Sequence, residues 1–186
     1  MVGQMDLQKL CIKIFCEQPS SIPLTDFINI FHGWIQTTDG DYHDVADYSH
    51  MQAGAGIVLV ANDANLSIDE TDNRRGLVFS QKSRLKGSNQ EKLRRVFRAA
   101  LASCRKLEED PALSGRLRFA MDEVAISVND RAVATNSIEA FTELKAEIAS
   151  VASEFFGNAE LQFERNDDPR QRLNVHLRSS APIQLR

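Results

Sequence analysis

The chain has 186 residues, 42% of them hydrophobic and 26% charged, with a formal net charge of −4. Such a length buries about 70% of the surface its unfolded chain exposes, so no disulfide or metal staple is needed, and the composition excludes disordered and fibrous classes. The acidic balance argues against nucleic acid as a general partner, and the longest apolar run, Ile57 to Ala61, is far too short to span a bilayer.

One domain covering 1–186 is expected. The first nine residues show no basic stretch leading into an apolar run, so no secretory signal is read and a cytoplasmic protein is expected. The three cysteines, Cys11, Cys16 and Cys104, form no C-x-x-C pair. They read as reduced thiols in core or surface positions, not as nucleophiles.

In chain order, Leu10 to Cys16 alternates as a strand, and Pro19, Ser20 and Ser21 end it. A helix follows, with Leu24, Phe27, Ile28, Phe31 and Ile35 at helical spacing. Ile30 and Trp34 form a second apolar patch beside that stripe, which predicts an exposed flank and a homodimer interface there. Gly56 to Ala61 reads as a strand buried on both faces. Leu66 to Ile68 and Leu77 to Phe79 read as strands separated by the turn-like Asp69 to Arg75.

Ser88 and Glu91 form a capping box. The stripe Leu93, Val96, Phe97, Ala100, Leu101, Cys104 and Leu107 then predicts a second helix, stopped by Pro111. Leu117, Phe119 and Met121 alternate, as do Val124, Ile126 and Val128, giving two strands or a hairpin. A third helix is read from about Asn136 to Phe156, with Gly157 as its C-terminal cap. A last hairpin pairs Leu161 and Phe163 with Leu173, Val175 and Leu177 across Asp167-Asp168-Pro169. The order β-α-βββ-α-ββ-α-ββ predicts an α+β fold, a mostly antiparallel sheet with three helices on one face. A weak repeat, R-x-x-x-[ST]-N at Arg84–Asn89 and Arg131–Asn136, reads as a duplicated unit or as two ordinary caps.

Charge is segregated. From Asp39 to Asp72 there are eight acids and no Lys or Arg; from Arg74 to Lys106 there are eleven bases against Glu91. One reading is a solvated helix face. The other is a phosphate or nucleotide site built from Arg84, Lys86, Ser88, Asn89, Arg94 and Arg98 at the start of the second helix. No aromatic residues interleave except Phe97 of the core stripe, so base stacking is not indicated. The segment Asp39 to His50 mixes carboxylates and imidazoles, and Asp44, Asp47 and His50 form a candidate metal set. The dull reading is a polar loop. Gly54-Ala55-Gly56 precedes a strand, whereas phosphate-binding glycine loops follow one. No P-loop, nucleophile elbow or Ser-His-Asp signature is present, and His32 and His176 read as structural.

The stretches Phe27–Gln36, Asp44–His50, Gly54–Val60, Ser88–Gln90 and Leu117–Phe119 together resemble an uncharacterised bacterial family of about this length. The resemblance implies no activity and assigns no residue a role. That family tends to carry His-Glu where this chain has Asn62-Asp63 and Pro where it has Ala55, and this departure weakens a metal site near that strand. The element order from Leu24 to Phe156 is also similar to that of type III secretion chaperones, an analogy of order alone. The sequence therefore suggests a non-enzymatic homodimeric binding or adaptor protein without a cofactor. The alternatives are a metal-dependent enzyme at Asp44, Asp47 and His50, or a phosphate binder on the Arg84 to Arg98 face.

Overall fold

The structure, a computed structural model, describes residues 5–17, 22–51, 54–130, 132, 134–168 and 170–183. Its elements are β1 (Leu10–Cys16), α1 (Leu24–Thr37), β2 (Tyr42–Asp47), β3 (Ile57–Ala61), β4 (Ala64–Asp69), β5 (Gly76–Gln81), α2 (Asn89–Glu108), β6 (Phe119–Val128), α3 (Ile138–Phe156), β7 (Leu161–Arg165) and β8 (Asn174–Ser179). The strands form one sheet in the order β2-β3-β4-β5-β1-β6-β8-β7, antiparallel at every pairing. The α+β architecture expected from the alternation of periods is the one observed.

Cross-strand register sorts the side chains onto two faces. Ile12 lies opposite Phe79 and Ile126, and Ile14 opposite Leu77 and Val124. Leu66 continues the first row beyond Phe79, and Val175 continues it beyond Ile126. Against this apolar face α1 packs on β2 and β3, α2 on β1 and β5, and α3 on β8 and on α2. The stripes of the three helices and the apolar strand positions join in one core. The second and third helices thus share a face of one sheet, as their single apolar stripes predicted. Ser88 and Glu91 close the expected capping box. Among the described residues no helix is long and apolar enough to cross a membrane.

Two segments differ from the expected pattern, for one physical reason. Tyr42–Asp47, read as a polar loop, is the edge strand β2. Its pairing with β3 shifts register between Tyr42 and Asp44, so Tyr42 and Val45, three apart, both turn towards the helices and the two-residue alternation is lost. Within 117–128, read as two strands or a hairpin, there is one strand, β6 (Phe119–Val128). β6 absorbs its change of phase in an irregularity against β1, between the pairs Ile14–Val124 and Cys16–Phe119. Bulges, not turns, carry both phase changes.

The flank argued for a dimer is filled by the chain itself. Ile30 and Trp34 are 6% and 5% exposed. The Trp34 indole N–H donates to Asp110 Oδ2 at 3.0 Å. Its ring lies near Phe31 and Tyr42 and carries the Lys106 ammonium 4.0 Å from its centre. The two arms of the R-x-x-x-[ST]-N pattern differ structurally. Ser88 caps α2, whereas Ser137, one residue beyond the pattern, caps α3. Both asparagines are buried and tie remote backbone. Asn89 accepts from Leu7 N–H and donates to the Met5 carbonyl. Asn136 donates to the carbonyls of Asn166 and Asp168.

Candidate functional site: the open face of the sheet

The alternate strand residues turn away from the helices, and among the described elements no helix covers them. Register lays them out in cross-strand rows. One row runs Asn65, Ser80, Cys11, Ser127, Asn174. The next runs Ser67, Val78, Lys13, Ala125, His176, Glu164. A third places Asp69 beside Gly76 and Phe15, and Glu123 beside Arg178 and Gln162. Twist and the two bulges curl such a sheet. Here they leave a concavity of about 820 Å³, lined by the centres of β1, β5, β6 and β8, by Gly54 and Ala55 before β3, and by 170–172 before β8.

The centre of the face is polar yet largely withdrawn from solvent, and its charges are paired. Lys13, with 13% of its side chain exposed, bridges to Asp69, with 11%. Asp69 also accepts from the Thr71 amide at 3.2 Å and hydroxyl at 2.6 Å. Arg74 grips Glu123 with two nitrogens, at 2.8 and 2.5 Å, and lays its guanidinium 4.0 Å from the Phe15 ring centre. Arg178 Nε donates to the same carboxylate at 3.2 Å. Bonding to Arg74, then to Arg178, lowers the Glu123 carboxyl to about 2 against its desolvation. His176 meets the Phe15 ring edge-on at 5.6 Å.

These pairings say what the face does chemically. Glu123 is fixed as an anion and makes a poor proton acceptor near neutrality. Lys13 is held in an ion pair, and burial pushes the Cys11 thiol up, away from the reactive thiolate. What remains open is hydrogen-bonding capacity. Asn65 Oδ1, Asn174 Oδ1 and His176 Nε2 are buried without a hydrogen bond among the described residues. His176 Nε2 does lie 2.6 Å from Glu123 Oε1, but without hydrogen-bond alignment. Buried polar atoms are satisfied in most folded proteins, so two adjacent open-face positions on β8 with spare capacity mark this end of the concavity.

The residues proposed from sequence lie elsewhere. Arg84 approaches Asp6 at 3.5 Å, and the Ser88 side chain and amide are occupied by Glu91 in the cap. The Asn89 side chain is buried in its tie to Met5 and Leu7. Arg94 pairs with Glu154 at 2.6 Å. Lys86 and Arg98 are exposed and form no ion pair among the described residues. The helix start is thus filled by its own cap, and those bases of the block that form ion pairs find their partners mostly outside the acidic one: Lys92 with Asp6, Arg74 with Glu123, Arg94 with Glu154. Glu70–Arg75, at 2.5 Å, joins the two blocks.

Asp44 and Asp47 pair with Val60 and Ile57, neighbours that face opposite sides of the sheet. Asp44 accepts from the Val45 amide, and Asp47 from the amide and hydroxyl of Ser49. Asp44 is therefore not brought together with Asp47 and His50. Among the described residues no group of three or more His, Cys, Asp or Glu side chains is placed to hold a metal ion. Sequence reasoning missed Lys13, Asp69, Glu123, Arg172, Asn174 and His176. Their signal was the polar half of the alternation in β1, β4, β6 and β8, which reads by default as solvent-facing. Compared with models of protein families, with curated proteins and with solved structures, the chain has no match.

Proposed function

We propose that the chain is a non-enzymatic binding protein of the bacterial cytoplasm that takes a polar ligand into the open face of its sheet. The observation that carries this reading is the concavity of about 820 Å³, floored by a pre-paired ionic network and lined by Asn174, whose buried Oδ1 has no hydrogen bond among the described residues. Rigid, already satisfied charges present a surface without reorganising, which lowers the cost of binding. The paired Glu123 and Lys13 and the raised Cys11 thiol favour recognition over covalent chemistry. The test is a thermal-shift screen of small polar compounds on wild type and on Ala125→Trp, which fills the middle of the face between Lys13 and His176. Compounds that raise the melting temperature of wild type and not of the filled variant support the reading. Compounds that stabilise both equally overturn it.

A second reading, self-association through α1, rests on a separate hollow of about 470 Å³ bordered by Ile30, Gly33, Trp34 and Ala112. A Cβ added at Gly33 would meet nothing within 4 Å, so Gly33→Glu should leave the monomer intact. A sedimentation-detected dimer that dissociates in this variant supports the reading. A wild type that stays monomeric at high micromolar concentration removes it.

A further inference from the structure

We propose that the β8 end of the open face, at Arg172, Ser127 and Asn174, is a carboxylate subsite, and that its ligand carries an N–H beside the carboxylate. That is the chemistry of an N-acylated amino acid or a peptide C-terminus. The proposal rests on the reading of the open face as the ligand surface and adds the ligand class.

Leu173, Val175 and Leu177 are fully buried on the helix side, so the alternating Arg172, Asn174 and His176 turn to the open face, and all three line the concavity. The other cations of that lining are neutralised: Lys13 by Asp69, Arg74 by Glu123, Arg165 by Asp167 and Arg170 by Asp168. Arg172 alone among them has no carboxylate partner among the described residues. Arg172 lines the same concavity as Cys11 and Ser127 on the neighbouring strands. A guanidinium with an open fork matches a carboxylate in geometry and charge. Ser127, directly opposite Asn174 in register, offers a hydroxyl to the same anion. Asn174 Oδ1 is buried and has no hydrogen bond among the described residues, and an acceptor in that state calls for a donor. Arg172 and Asn174 are two apart on an extended chain, about 7 Å, so one residue-sized ligand reaches both.

The experiment is a calorimetric or NMR titration with four probes. They are N-acetylalanine, its C-terminal amide, acetyl-lactate (an ester in place of the N–H), and an acetylated pentapeptide with a free C-terminus. N-acetylalanine is expected to bind wild type at least tenfold more tightly than its amide. Arg172→Gln should remove that preference, and Arg172 is exposed, so the variant should fold. Acetyl-lactate should bind several-fold more weakly than N-acetylalanine on wild type, but equally on Asn174→Ala. A pentapeptide tighter than N-acetylalanine assigns the source as a peptide end, and the reverse order as a free acid. Equal binding of acid and amide, no effect of Arg172→Gln, or no binding of any carboxylate overturns the subsite. If the subsite fails in this way while another compound still loses its effect on Ala125→Trp, the open face stands and only the ligand class falls.

Discussion

Replacing Trp34 with alanine removes a side chain that is 5% exposed and packed between Phe31 and Tyr42. Deleting a buried aromatic of this size costs about 3–5 kcal/mol through lost transfer energy and the cavity left behind. The Lys106 ammonium over the indole belongs to the same loss, at about 0.5–1 kcal/mol. The indole N–H is a smaller part: Trp34→Phe keeps most of the ring and loses the bond to Asp110, an expected cost of about 0.5–1.5 kcal/mol. For a chain of this length each kcal/mol lowers the melting temperature by about 2–4 °C, so the alanine variant should melt roughly 6–20 °C below wild type. Urea unfolding followed by far-UV circular dichroism gives the free energies. Repeating it at protein concentrations twentyfold apart separates folding from association, because a dimer contact makes the midpoint concentration-dependent. A loss below about 1 kcal/mol, or one confined to high concentration, would refute the intrachain packing argued here.

Two further outcomes follow from the open face and its rim. The Glu123 carboxyl lies at about 2 against an ordinary 4.5, so its contribution is whole above about pH 4.5 and is lost as pH falls towards 2. The full shift corresponds to about 3 kcal/mol, but Arg74 and Arg178 are 42% and 51% exposed in their side chains, and screening reduces this to roughly 1–2 kcal/mol. Glu123→Gln should therefore lose about that much stability at pH 7 and little at pH 2, and chemical denaturation at the two pH values checks it. Gly56 has φ +66°, and a Cβ there would lie 1.9 Å from the Ile68 carbonyl oxygen. Gly56→Ala should cost more than the roughly 1–3 kcal/mol of backbone strain alone, read as a fall in the urea midpoint, and a variant as stable as wild type would contradict the close crossing of β3's entry and β4.

What could be read from sequence was whatever keeps a regular period. The α2 stripe, its Ser88–Glu91 cap and the clean alternation of β1 and β8 state their structure locally, and the helices' single apolar stripes implied a sheet covered on one side. Irregularities were illegible: the bulge that turns Tyr42 and Val45 the same way, and the phase slip inside β6. Trp34 was misjudged because its cover comes from afar, from Lys106 on the polar side of the last turn of α2 and Asp110 just beyond that helix. The candidate site was missed for a related reason. Lys13, Asp69, Glu123 and His176 stand on four strands and meet only through register, and none has a motif around it. Conversely, the conspicuous charge blocks and the Asp44–His50 segment are dense along the chain but are dispersed or already bonded in space.

The central claim is that ligand binds the polar face and not the helical layer. The most direct test is chemical-shift mapping of an isotopically labelled sample with a compound that stabilises wild type. Shifts concentrated at Cys11, Lys13, Ala125, Ser127, Asn174 and His176, with α2 positions such as Arg95 and Arg98 unmoved, are the expected result. Shifts confined to α1, α2 or α3, with the open-face strands unchanged, would contradict the account.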